Sequence, residues 1–384
     1  MKNWDVIIIG GGIIGLSLSL ELRKKGATVL LVERAEPGRE ASYAAGGMLV
    51  DCSIETAPGL QALATASVCM YPEFVHELEV ESGMKVDLRD QGTILSLSGR
   101  HIRHPGLASA GLHPADLSDL EPAMVKLTLD QEFDLKEELD PLESEMAVEA
   151  MHPAFYYVKE RSVDPRALTA AAIKAAEHRG VDFSSGDPVA SVNHADGGVL
   201  SVTTTKTTFR AARVVNCAGA WSGQIAPYAF PTRPVKGQML CLAAPSRTLL
   251  KHVIRTSEVY LIPRSDGRII VGTTVEEAGF DKRTDVAAIQ RLHRAAIALV
   301  PELRNAKILE DWAGLRPGTP DALPILGATS MPGYYVATGH FRDGILLAPI
   351  TARLMGQVIE GRNPDYDLAA FSPDRFSNFV SKAE

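Results

Sequence analysis

Four cysteines in 384 residues are few, and Cys52, Cys69, Cys217 and Cys241 have neither the spacing of a metal-ligand set nor that of a redox pair. Cys217 and Cys241 sit in apolar, strand-like runs and read as buried thiols, so no metal site is expected and a reducing cytoplasm is the expected compartment. A basic excess is also missing. The 39 Lys and Arg are outnumbered by 47 Asp and Glu, for a net charge of −8 at pH 7. That balance excludes the phosphate-neutralising face that nucleic acid binding requires. No apolar run approaches the ~20 residues of a membrane-spanning helix. The chain is expected to enter a strand within its first five residues, which leaves no place for a cleavable signal peptide. Internal repeats and low-complexity tracts are absent. What remains is an ordinary globular composition, 46% hydrophobic and 22% charged, on a chain long enough for two domains.

One stretch organises the rest. Asp5–Ile9 is a short apolar run of the kind that forms a buried parallel strand, and Gly10-x-Gly12-x-x-Gly15 follows at once. An apolar-periodic segment marked by Ile14, Leu18 and Leu22 then runs to Lys25, Gly26 stops it, and Val29–Val32 is a second buried strand ending on Glu33. Gly10 allows the tight turn, Gly12 lets backbone approach a pyrophosphate, and Gly15 lets the helix pack close on the sheet. The helix N-terminus offers unpaired N–H groups and a positive dipole end to phosphate. Glu33 stands where a carboxylate accepts hydrogen bonds from a ribose diol. Three glycines alone would be weak evidence. Strand, glycines, helix, second strand and acid in the required order predict dinucleotide binding.

Farther along, Gly46, Gly47 and Met48 crowd small residues where backbone lies close against something flat. Leu60–Glu81 has helical spacing, with Pro72 expected to kink or split it. Asp87–Leu97 turns strand-like and reads as a crossing into a second domain. His101–Lys159 has no clear period, and its scattered His101, His104, His113 and His152 are assigned no role. Asp164 and Pro165 then open a helix that Gly180 ends. Val214–Asn216 closes another buried strand running into small residues. From Pro234 the pattern becomes antiparallel, with strand candidates at Gln238–Leu242, Val259–Pro263 and Arg268–Thr273. An amphipathic helix over Asp285–Val300, a parallel strand at Tyr334–Thr338 and a last helix over Ile345–Ile359 follow. The expected fold is α/β: a Rossmann-like nucleotide-binding domain (1–85, 155–225 and 311–384) with a discontinuous α+β domain on a mostly antiparallel sheet (86–154 and 226–310).

The segments VIIIGGGIIG (Val6–Gly15), AAGGML (Ala44–Leu49), VVNCAGAWS (Val214–Ser222), VKGQ (Val235–Gln238), VYLIPR (Val259–Arg264), WAGLRPGTPD (Trp312–Asp321) and GHFRDGILLAP (Gly339–Pro349) resemble the D-amino acid oxidase family of flavoproteins. Within it the likeness is to the glycine oxidases, and it runs nearly end to end, departing most over Ser98–Ala150. The resemblance implies FAD, contacted at Gly10, Gly12, Ile13, Ile14, Gly15, Glu33, Arg34, Ala41, Ser42, Gly46, Gly47, Met48 and Val189. It adds a loop of His340, Phe341, Arg342, Asp343, Gly344, Ile345 and Leu346, whose N–H groups and helix dipole suit the charge that builds up on a reduced flavin. Relatives that tether FAD use a cysteine in the C-terminal half; none follows Cys241 here, so noncovalent FAD is expected.

For the substrate the resemblance implies Arg316 as a bidentate carboxylate clamp, Arg342 as a second cation and Tyr260 as a hydroxyl donor to the same carboxylate. Val275 stands where glycine oxidases often carry Met, which reshapes the side-chain pocket. The implied reaction is oxidative deamination of glycine or a similar small amino acid or N-methyl amino acid, with O2 as acceptor and H2O2 as product. Alternatives are a dehydrogenase that passes electrons to a quinone or carrier, and a silent flavoprotein subunit. A homo-oligomer, tetramer included, is the implied assembly, and thiamine biosynthesis or catabolism the implied setting.

Overall fold

A computed structural model describes residues 3–51, 56–97, 113–114 and 154–379. Residues His101, His104 and His152, most of Ser98–Ala150, and Cys52 lie outside them. The strand Asn3–Ile9 pairs in parallel with Val29–Val32 on one side and with Thr208–Asn216 on the other. Tyr334–Thr338 continues the parallel set beside the end of Thr208–Asn216. An antiparallel hairpin, Val189–His194 with Leu200–Thr204, flanks it. The central strands do not alternate in polarity because both faces are covered. Val6 and Ile8 point into a core shared with the helices, while Ile7 and Ile9 point into a second core with Phe230 and Tyr334.

Three helices, Ile13–Lys24, Pro165–His178 and Ala348–Ile359, cover the first face together with Gln61–Ser82. Asp164 caps the second of them, its carboxylate accepting from Arg166 N at 2.9 Å. The helix Gln61–Ser82 runs unbroken through Pro72, so the expected split does not occur. Pro72 faces solvent, where water can satisfy the carbonyl it leaves unbonded. Leu63, Ala64, Tyr71, Val75 and Leu78 bury the other face and hold both halves in line.

A second, eight-stranded sheet is antiparallel except where Val253–Arg255 pairs with Thr93–Leu97. Its central strands are buried almost continuously, because both faces are covered. Leu240, Leu242, Leu261 and Val271 pack beneath the helix Val286–Leu299, whereas Met239, Cys241, Ile262 and Ile270 face the opposite way with Tyr260 and Trp312. The strand Lys307–Gly318 pairs along its whole length with Arg233–Ala243, so the boundary expected at 310/311 falls inside a continuous strand of this sheet. The boundary expected at 154/155 falls at the start of Ala154–Val158, which pairs with Thr93–Leu97 and also belongs to it. A three-stranded ribbon of Met48–Leu49, Arg161–Val163 and Leu88–Arg89 links the two layers. Among the described residues no helix is long and apolar enough to cross a membrane.

Candidate active site

Between the C-terminal ends of the parallel strands and the inner face of the antiparallel sheet lies a cleft of about 510 Å³. At its nucleotide end Gly10 has φ +109°, and a Cβ there would stand 2.4 Å from the Cys217 carbonyl oxygen. Only glycine fits that turn. The helix Ile13–Lys24 then begins at Gly12, which offers no capping side chain, and has no acid in its first turn, while Arg23 and Lys24 occupy its last. Its positive end is thus left for an anion. The Glu33 carboxylate, which is buried, accepts from Gly11 N at 2.7 Å and from Ala35 N at 3.0 Å. Burial pushes its pKa above the ordinary carboxylate value, against the lowering by these two N–H groups. Each oxygen keeps a further acceptor site for a ribose hydroxyl. Ser42 Oγ accepts from Ile13 N at 2.9 Å and so ties the following loop to the glycine turn. This arrangement fits the dinucleotide half of an FAD.

The second loop, between Tyr334–Thr338 and the helix Ala348–Ile359, is held from three sides. Phe341 has φ +48° and donates its N–H to Pro317 O at 3.0 Å, joining this loop to the Arg316 strand. Ser67 Oγ donates to Leu346 O at 2.6 Å, and the Tyr71 hydroxyl to Ile345 O. His340 is buried with Nε2 3.1 Å from Thr351 Oγ1, and burial depresses its pKa to about 3, so it is neutral at physiological pH.

Arg316 stands on the antiparallel side of the cleft. Its Nη2 donates to Thr273 Oγ1 at 2.8 Å and its Nη1 to Thr274 O at 3.2 Å. Burial lowers its pKa, the nearby Tyr260 raises it and the neighbouring Arg342 lowers it further; no carboxylate among the described residues acts on it. Gly237 lies against the guanidinium, where a Cβ would come within 2.3 Å of Nη1. The Tyr260 hydroxyl lies 3.7 Å from Met239 Sδ, its pKa raised by burial against the opposing pull of Arg316. Val275 is 66% exposed at the rim.

All the residues expected from the sequence therefore line this one cleft, except Gly15 and Leu346. A Cβ on Gly15 would stand 2.1 Å from the Gly10 carbonyl oxygen, so Gly15 sits behind the turn. Leu346, in the second loop, is buried in the core packed against the helices. Sequence reasoning missed the supports of the site. Arg264 donates to Val163 O at 2.9 Å and to Gly46 O at 2.6 Å, and Trp312 Nε1 donates to Ala44 O at 3.2 Å. These two side chains pin the small-residue segment Ala44–Gly47 to the cleft wall. An arginine directly after an apolar strand was the available signal for Arg264. Thr273 and Thr274 gave none. Among the described residues no group of three or more His, Cys, Asp or Glu is placed to hold a metal ion.

A family model described as FAD dependent oxidoreductase, DAO, matches residues 5–358. The bifunctional protein ThiO/ThiG of Trichormus variabilis is 34% identical over 382 residues, 98% of this chain; the chain spans 56% of that relative's length. Glycine oxidase of Geobacillus kaustophilus is 31% identical over 379 residues, 97% of each chain. The crystal structure of glycine oxidase from Geobacillus kaustophilus matches the fold with a TM-score of 0.85 at 28% identity, over 100% of both chains. The nucleotide-binding layer with its inserted antiparallel sheet is the fold expected from the sequence. Because the matched span takes in both walls of the cleft, the chain belongs to the DAO family of FAD dependent oxidoreductases.

Proposed function

We propose that this chain oxidatively deaminates glycine or a similar small amino acid or N-methyl amino acid, giving the 2-oxo acid, ammonia or an amine, and H2O2. One observation carries the reading: a largely buried guanidinium at Arg316 with no acid set against it among the described residues. A buried cation without a counter-ion is costly, and the cost is offset when a substrate carboxylate supplies the missing charge. FAD, when bound, supplies the hydride-accepting group. The protein's own part is binding and positioning. Arg316 takes the carboxylate through its planar fork, and Thr273 and Thr274 hold that fork in one orientation. Tyr260 adds a hydroxyl to the same carboxylate.

Two cations, Arg316 and Arg342, also disfavour an ammonium beside them, so the amine loses its proton to water as it binds. The neutral His340 adds no further positive charge. Noncovalent FAD belongs to the same reading, because the cleft-lining Cys217 is a buried thiol whose pKa burial drives far up, away from the nucleophilic thiolate. A cytoplasmic homo-oligomer remains the expected form, to be tested by sedimentation of the purified protein. The function is tested by mixing the yellow protein anaerobically with glycine, sarcosine, D-amino acids and larger amines, then admitting air. Bleaching by amino acids followed by H2O2 release supports the proposal. Bleaching with reoxidation only by a quinone makes the chain a dehydrogenase, and no bleaching by any amine removes the enzymatic reading.

A further inference from the structure

After Glu276, which still exchanges two backbone hydrogen bonds with Lys236, the chain leaves the antiparallel sheet and reaches across to the nucleotide end of the cleft. Phe280 lies with its ring centroid 5.2 Å from that of Trp221, tilted by 33°, and the Arg34 guanidinium stacks on the other partner, 4.3 Å from the Trp221 centroid. Two residues on, Lys282 Nζ donates to both oxygens of Glu40, at 2.9 and 3.1 Å. Arg34, Glu40 and Trp221 all line the cleft. Arg34 also follows Glu33 directly, which sets this stack at the end where the adenosine ribose of a dinucleotide belongs. Phe280 is 42% exposed, so its ring lies at the solvent edge of this stack.

We infer that Phe280, Trp221 and the Lys282–Glu40 pair form a latch that retains FAD by its adenylate end, with one half supplied by each layer of the fold. The root of the latch strengthens the case. Gln238 accepts from Asp285 N at 2.6 Å and donates to Glu276 at 2.7 Å, so both ends of the segment are fastened to the sheet and only its tip reaches the nucleotide domain. In this arrangement the Arg34, Glu40 and Trp221 side of the cleft is held by an aromatic contact and an ion pair, each individually weak and together sufficient to slow FAD release.

The test is the rate of FAD release from the diluted holoenzyme, followed by flavin fluorescence. Phe280→Ala should release FAD three- to tenfold faster, Lys282→Ala two- to threefold, and the double variant faster than either. Phe280→Trp should restore slow release, and the swap Glu40→Lys with Lys282→Glu should restore part of it. In Phe280→Ala the temperature of flavin release should fall while the temperature of backbone unfolding by circular dichroism falls less. Unchanged release rates in both single variants overturn the latch. An equal drop in the two temperatures also overturns it, since Phe280 would then serve the fold and not the cofactor.

Discussion

Arg316→Leu separates stability from catalysis, because opposite forces act on the two. In the free protein the guanidinium is largely desolvated and offset by Thr274 O, Thr273 Oγ1 and the nearby Tyr260. Deleting it leaves those two oxygens without a donor, a cost of about 1–3 kcal/mol. It also removes a buried cation whose desolvation penalty is several kcal/mol, roughly cancelling that cost. The melting temperature should therefore move by only a few degrees in either direction. Substrate binding has no such compensation. Truncating one partner of a desolvated charge pair costs about 2–5 kcal/mol, so kcat/KM for an amino acid should fall about 30- to 5000-fold. Arg316→Lys should recover part of the loss, since an ammonium keeps the charge without the fork. The assay is single-turnover flavin bleaching under anaerobic conditions at several substrate concentrations, with thermal unfolding in parallel. Normal bleaching by amino acids in Arg316→Leu would refute the clamp. A Tm drop of ten degrees or more would refute the claim that the free side chain is an uncompensated charge.

Glu33→Ala should weaken FAD binding by about 1–3 kcal/mol in an equilibrium titration, because it deletes the ribose acceptor and frees the Gly11 N–H as well. Gly314→Ala would place a Cβ 2.3 Å from Ala44 Cβ, so it should push the Ala44–Gly47 segment out of place and cost about 1–3 kcal/mol in denaturant unfolding, with FAD lost on gel filtration. His340 has a folded pKa of about 3, below its ordinary 6.5, so its contribution to stability is full above about pH 6.5 and is lost as pH falls toward 3. Urea midpoints at pH 7 and pH 4.5 should thus differ less in His340→Asn than in the parent protein. Acid precipitation should leave all yellow colour in the supernatant; colour in the pellet would mean a covalent flavin.

Much of this architecture is written in short-range pattern. The strand, glycine turn, helix, strand and acid of Asp5–Glu33 declare themselves because each step is a local steric or dipolar requirement met by neighbouring residues. The capped helices Pro165–His178 and Val286–Leu299 are legible for the same reason: Asp164 and Asp285 satisfy N–H groups two or three residues away. Pro72 shows where local reasoning fails. Its ring breaks one hydrogen bond, and burial of Tyr71 and Val75 on the far face outweighs it. The strand Lys307–Gly318 shows another failure, since only its partner Arg233–Ala243 decides which sheet it joins.

Residue identity and local order by themselves determined the dinucleotide turn and the likeness of the chain to a flavoprotein family, and that likeness in turn implied Arg316, Tyr260 and Arg342 as candidates. Tertiary structure alone decided what holds them. Thr273 and Thr274 meet Arg316 from 43 and 42 positions away, Arg264 grips Gly46 across 218, and Trp312 reaches Ala44 across 268. No periodicity spans such separations. Hydrogen-bond partners so far apart are chosen by sheet register and by which faces must be buried, and those are properties of the folded chain as a whole.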